Sequence, residues 1–172
     1  FLLESVEGGA VRGRYSIIGM NPDLIWKVDN NQASINRKAG SHPEGPFDPL
    51  TLTPLESLRA LLAESRIALP EDAPPMAAGV FGYMGYDMVR LMEELPPPNL
   101  DSLGLPDAML IRPTIMAIFD SVRDEVTVTS PVYVERSVSA RAAYARARER
   151  ILSGASAMSR PIAESAARRR SR

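Results

Sequence analysis

Four short apolar runs crowd the first 37 residues: Phe1 to Val6, Tyr15 to Met20, Leu24 to Asp29 and Ala33 to Arg37. Each carries Val, Ile, Tyr or Trp, residues that fit a pleated surface, and each is bounded by Gly, Asn or Pro. They read as strands. A glycine-rich connection, Glu7 to Gly13, joins the first two. Asp29-Asn30-Asn31-Gln32 is a turn signal, because asparagine tolerates positive φ, so the run after it pairs back as a hairpin. The chain opens inside the first strand and is therefore expected to be a piece of a longer protein.

Lys38 to Pro49 reads as a polar loop. Thr53-Pro54-Leu55-Glu56 then marks a helix start: Thr53 caps, Pro54 suits the first helical position and Glu56 completes a capping box. Leu55, Leu58 and Leu62, with Leu61 beside them, form the expected apolar stripe of a helix ending near Arg66. Met76 to Tyr86 is apolar and small, with Gly79, Gly82 and Gly85 at three-residue spacing. This predicts a buried strand, bent or closely approached at its glycines. Asp87 to Leu95 is expected to be a short helix ended by Pro96-Pro97-Pro98.

Ala108 to Phe119 is the most hydrophobic run, and Pro113 inside it predicts an edge strand or a bulge. Asp120 to Asp124 is a turn, and Glu125 to Thr129 alternates strictly, which makes a second hairpin. Ser137 is the expected cap of a last helix that Ser153-Gly154 ends. Strands, a helix, then strands and a helix argue for an α+β fold with a mainly antiparallel sheet. Residues 1–155 form the expected domain and 156–172 a disordered tail.

Composition excludes some functions. The chain has 172 residues, 45% hydrophobic and 24% charged, with a net charge of −1. That balance implies no nucleic-acid or membrane partner. Five of the arginines and the acid Glu164 fall in Ala155 to Arg172, a net +4, which leaves the rest at −5. With no interleaved aromatics, that end reads as a solvated tail. The absence of cysteine excludes disulfides and thiolate chemistry and fits a cytoplasmic protein.

No catalytic constellation emerges. The single histidine, His42, sits in a loop, and Glu93-Glu94 and Asp120/Asp124 do not converge as hard-cation ligands must. Gly79-x-x-Gly82-x-x-Gly85 lacks dinucleotide spacing, and Gly8-Gly9 lacks the Lys-Ser/Thr of a phosphate loop. A core of this size without catalytic residues suits a regulatory or partner-binding domain.

Three segments, in order, resemble the N-terminal region of anthranilate synthase component I: Phe1-Leu2-Leu3-Glu4-Ser5-Val6-Glu7-Gly8-Gly9, Gly13 to Gly19 with Asn21-Pro22, and Met76 to Arg90. The resemblance implies an N-terminal region packed on a larger C-terminal domain that holds chorismate and Mg²⁺. It also implies a glutamine amidotransferase subunit as partner. No catalytic residue, metal site or cofactor transfers to this sequence, so this piece is expected to be inactive alone. What does transfer is part of a feedback site for L-tryptophan at Leu3, Glu4 and Ser5, with Arg14 and Tyr15 as weaker members that orient the pocket. Read without the resemblance, Glu4 and Ser5 are an acid and a hydroxyl at a strand end, and Arg14 is a surface ion pair. Two other readings stay open: a fragment of aminodeoxychorismate synthase component I, and a stand-alone, non-catalytic binding module.

Overall fold

The computed structural model describes residues 1–4, 13–97, 101, 103–133 and 137–160. Its elements run β1 (Leu2–Leu3), β2 (Tyr15–Asp29), β3 (Gln32–Asn36), β4 (Asp48–Pro49), α1 (Pro54–Glu64), β5 (Phe81–Met84), a 3-10 turn (Tyr86–Leu91), β6 (Ala108–Asp120), β7 (Glu125–Thr129) and α2 (Ala140–Met158). All seven strands join one antiparallel sheet in the order β4-β3-β2-β6-β5, with β1 beside β2 and β7 beside β6. The α+β class expected from the sequence is the one found.

Two long strands, β2 and β6, carry the sheet. The runs expected as two strands, 15–20 and 24–29, are one strand that continues through Asn21-Pro22. Its register against β6 shifts between Pro22 and Leu24, which leaves Asp23 unpaired in a bulge. Pro22 stands opposite Pro113, so two residues without an N–H face each other where a ladder bond would cost least to lose. Pro113 thus marks a bulge, as one of the two expected alternatives had it. The other alternative fails, because β6 lies between β2 on one side and β5 and β7 on the other.

The β2–β3 hairpin turns at Asn30 and Asn31, both at positive φ (47° and 62°), as the sequence predicts. The capping box also forms. Thr53 N–H donates to Glu56 Oε2 at 3.1 Å, and Glu56 N–H donates to Thr53 Oγ1 at 3.4 Å. Helix α1 rests on the sheet through Pro54, Ser57 and Leu61, with Leu58 alongside, while Leu62 faces solvent. The expected stripe is therefore rotated: Trp26 is fully buried and needs an acceptor for its indole N–H, and Ser57 Oγ supplies it at 3.1 Å.

Apolar packing divides at the bulge. Leu24, Trp26, Val28, Ile35, Leu61 and Leu110 form one cluster. Ile17, Ala77, Met116 and Ile118 form a second, with Phe1 and Phe81 against it.

Other expectations need correction. The strand expected over 76–86 is reduced to Phe81–Met84, and it is half-buried to exposed. Met76 at φ 65° and Gly79 at φ 141° break the extended backbone before it. Gly82 is where the close approach occurs: a Cβ there would lie 1.9 Å from the Met109 carbonyl oxygen. The helix expected over 87–95 is the 3-10 turn Tyr86–Leu91. Ser139, not Ser137, caps α2, accepting from Ala142 N–H at 3.2 Å. Helix α2 runs through Gly154 to Met158. Gly154 does not stop the helix. A Cβ there would meet Ile115 Cδ1 at 2.4 Å, so the missing side chain lets α2 lie close to β6. Residues 161–172 lie outside the described residues.

Candidate functional site

Strand β1 is held on β2 by backbone pairing of Leu2 with Ile18 and Leu3 with Ile17. Phe1 extends the pairing: its nitrogen donates to Gly19 O at 2.8 Å, and Gly19 N–H donates to Phe1 O at 3.0 Å. The Phe1 ring stacks on Phe81, centroids 4.7 Å apart, which anchors the short strand in the second apolar cluster. With the anchor spent on Phe1, Leu2 and Leu3 stand 56% and 48% exposed, and Glu4 is exposed. An apolar edge followed by an exposed carboxylate is what β1 presents. Ser5 lies outside the described residues.

Tyr15 opens β2 two residues before the pairing with β1, and Arg14 immediately precedes it. Arg14 does not turn toward Glu4. Its Nε and Nη2 donate to Asp120 Oδ1 and Oδ2 at 2.9 and 2.6 Å, and its guanidinium carbon lies 4.9 Å from the Tyr15 ring centroid. Tyr15 pairs with Asp120 across the sheet, so the register itself brings the two charges together. The bidentate bond from Arg14 is the main force holding the Asp120 carboxyl down to about 2, aided by the Arg123 and Val122 amides. The same bond raises Arg14 above its ordinary value.

A second polar cluster fills the bulge. Arg112 is buried in the central strand and donates through Nε and Nη2 to Asp23 at 2.9 and 2.7 Å. Its Nη1 lies 3.4 Å from Ser65 Oγ and 3.5 Å from Glu64 Oε1. Arg37 holds Glu64 from the other side at 2.9 and 2.8 Å and lowers its carboxyl. The Arg112 guanidinium also lies 4.1 Å from the Tyr133 ring centroid. Burial pushes the Tyr133 phenol up, with the Arg112 charge opposing it. Every charge in this group is matched, so it reads as a strut between α1, the bulge and β6. Sequence reading missed it. The available signal was an arginine inside the most hydrophobic run of the chain.

Beside this strut is a cavity of about 70 Å³ lined by Asp23, Thr114, Tyr133, Val138, Arg146 and Arg150. An open groove of about 470 Å³ continues from it along α2, past Met20, Asn21, Ile115, Glu149 and Gly154. Neither is lined by Leu3, Glu4, Arg14 or Tyr15. His42 is exposed, its Nδ1 2.9 Å from Ser41 Oγ. Among the described residues no group of three or more His, Cys, Asp or Glu could hold a metal ion, and no helix is long and apolar enough to cross a membrane.

No model of a protein family matches the chain. Individual proteins do. The chain is 57% identical over 152 residues to anthranilate synthase component 1 of Cereibacter sphaeroides, a match taking in 88% of this chain and 30% of that protein. The protein of the same name from Mycolicibacterium smegmatis is 38% identical over 128 residues, 74% of this chain and 24% of its own length. That of Acetivibrio thermocellus is 32% identical over 138 residues, 80% and 27%. Among solved structures, anthranilate synthase component I from Streptococcus pneumoniae TIGR4 shares the fold, with a TM-score of 0.65 at 18% identity over 91% of this chain and 32% of that one. The chain spans about 30% of the length of the curated relatives it matches. In sequence and in fold, it is related to anthranilate synthase component I and resembles the N-terminal region of those proteins.

Proposed function

We propose that this chain is the N-terminal regulatory and structural region of an anthranilate synthase component I. The parent enzyme converts chorismate and ammonia to anthranilate and pyruvate, the first step of tryptophan biosynthesis, in the cytoplasm. The observation that carries this reading is the 57% identity sustained over 88% of the chain. Chorismate and Mg²⁺ belong to a C-terminal domain outside this sequence, and a glutamine amidotransferase subunit delivers the ammonia. No step of the reaction runs through residues of this region, which has no turnover by itself.

Its contribution is part of the feedback site for L-tryptophan at Leu3, Glu4 and Ser5. A free amino acid presents an ammonium, a carboxylate and, here, an indole. The exposed Glu4 carboxylate suits the ammonium. A serine hydroxyl beside it donates to the carboxylate or accepts from the ammonium. The half-exposed Leu3 offers apolar surface to the ring. The C-terminal domain supplies the opposite wall, so tryptophan favours one arrangement of the two domains over another.

In the full-length enzyme, Ser5→Phe and Ser5→Ala are expected to raise the tryptophan concentration that halves chorismate turnover, Phe more than Ala. Titrating tryptophan against anthranilate formation in the parent and both variants checks this. Identical half-inhibition in all three would remove the site from this segment.

A further inference from the structure

We propose that Asp120 is a positioning residue for this tryptophan site, acting through Arg14 on the start of β2 and thereby on the edge that carries Leu3 and Glu4. The inference rests on the placement of the feedback site just given.

Strand β1 has two residues, and its strand partner is β2. Wherever Ile17 and Ile18 stand, Leu3 and Leu2 follow. The start of β2 is paired with β6 from Tyr15 onward, and Arg14, the residue before it, adds a side-chain tie to the same place. A guanidinium that meets a carboxylate through two parallel bonds fixes both a distance and a plane, which a lysine cannot do. The pair is partly shielded, with the Asp120 side chain 11% and the Arg14 side chain 29% exposed, unlike the open surface pairs that contribute little.

Asp120 in turn is built into the β6–β7 hairpin. Its Oδ1 accepts from Val122 N–H at 3.0 Å and Arg123 N–H at 3.2 Å. The Arg14 carbonyl accepts from Ser121 N–H and Ser121 Oγ, both at 3.0 Å. The start of β2 is thus tied by backbone and side chain to a tight turn 106 residues away in sequence. Arg14 also lies against Tyr15, so the ring is held by the same clamp. With the Nε–Nη2 edge of its guanidinium on Asp120, Arg14 is assigned the role of orienting the site.

Asp120→Asn separates this role from turn chemistry. The amide oxygen still accepts from Val122 and Arg123, but the charge that fixes Arg14 is gone. In the full-length enzyme, the tryptophan concentration for half inhibition is expected to rise roughly tenfold, a usual size for a coupling between sites. Turnover and KM for chorismate without tryptophan stay within about twofold. Adding Arg14→Ala to Asp120→Asn gives no further loss, as partners in one interaction require. Should Asp120→Asn fail to fold, Arg14→Lys carries the same test on half inhibition, since it keeps the charge and removes the fork.

Unchanged half inhibition in Asp120→Asn, beside a loss in Ser5→Phe, overturns the positioning role and leaves the site standing. A loss of inhibition that comes with an equal loss of uninhibited turnover also overturns it, because that marks general damage. Normal inhibition in Ser5→Phe removes the feedback site from this segment, and this inference with it.

Discussion

Asp120 and Arg14 show how one pair of residues serves both stability and placement. The Asp120 carboxyl sits at about 2 where 3.8 is ordinary, because the folded chain binds its charged form through Arg14 and the turn amides. A depressed carboxyl contributes stability that is complete above its unfolded value and is lost as pH falls through its folded value. Thermal midpoints are therefore expected to drop between about pH 5 and pH 2, and Asp120→Asn to flatten that part of the profile. Calorimetric scans of the parent and variant across that range would check it; parallel profiles would contradict it. Arg112 and Asp23 hold a different balance. Arg112 is buried away from water, so Asp23, Glu64 and Ser65 meet its donors. Each pair left only its arginine as a trace in the sequence: Arg14 at a strand start reads as a surface ion pair, and Arg112 stands inside the most hydrophobic run. Asp120 as the partner of Arg14 was invisible, because nothing local links positions 106 apart.

At the scale of elements, sequence signals succeeded where the physics is local. The Thr53–Glu56 box and the Asn30-Asn31 turn are each decided within four residues, and both are present. Glycines failed as signals because two causes look alike. Gly154 resembles a helix stop, yet the helix continues and the glycine serves contact with Ile115. Gly82 was expected in a buried strand and lies in a short edge strand, but the close approach expected there is real. Its φ is 156°, and a Cβ would press on the Met109 carbonyl, a backbone atom that cannot swing aside. Gly82→Ala is therefore expected to destabilise the chain by at least about 1 kcal/mol, since native φ and space both oppose the methyl. The urea midpoint measures this, and no change would mean that β5 shifts freely. The rotation of α1 was also hidden. Its polar Ser57 is buried because Trp26, on β2, needs an acceptor.

At the scale of the whole molecule, the antiparallel α+β architecture was legible from strand spacing and two hairpin turns, while the merging of two runs into the 15-residue β2 was not. Proline after asparagine normally reads as a break. Here it is accommodated because Pro113 faces Pro22 and the bulge absorbs Asp23. Of the candidate segment, the strand character of Leu3 and Tyr15 was legible, and the tie from Arg14 to the hairpin was not. The paired prolines have a further consequence. The sheet loses cross-strand donors at its middle, and its apolar clusters lie to either side. Local opening follows such seams, since cooperative units are bounded where few interactions cross. Amide hydrogen exchange is expected to sort β2 and β6 into two groups, residues 24–28 with 108–112 and residues 15–20 with 115–120. Denaturant should lift their protection at separate concentrations. A single common exchange free energy for both would show one indivisible sheet. Two would mean that the end of β2 bearing the proposed sensor can loosen while the Trp26 half stays folded.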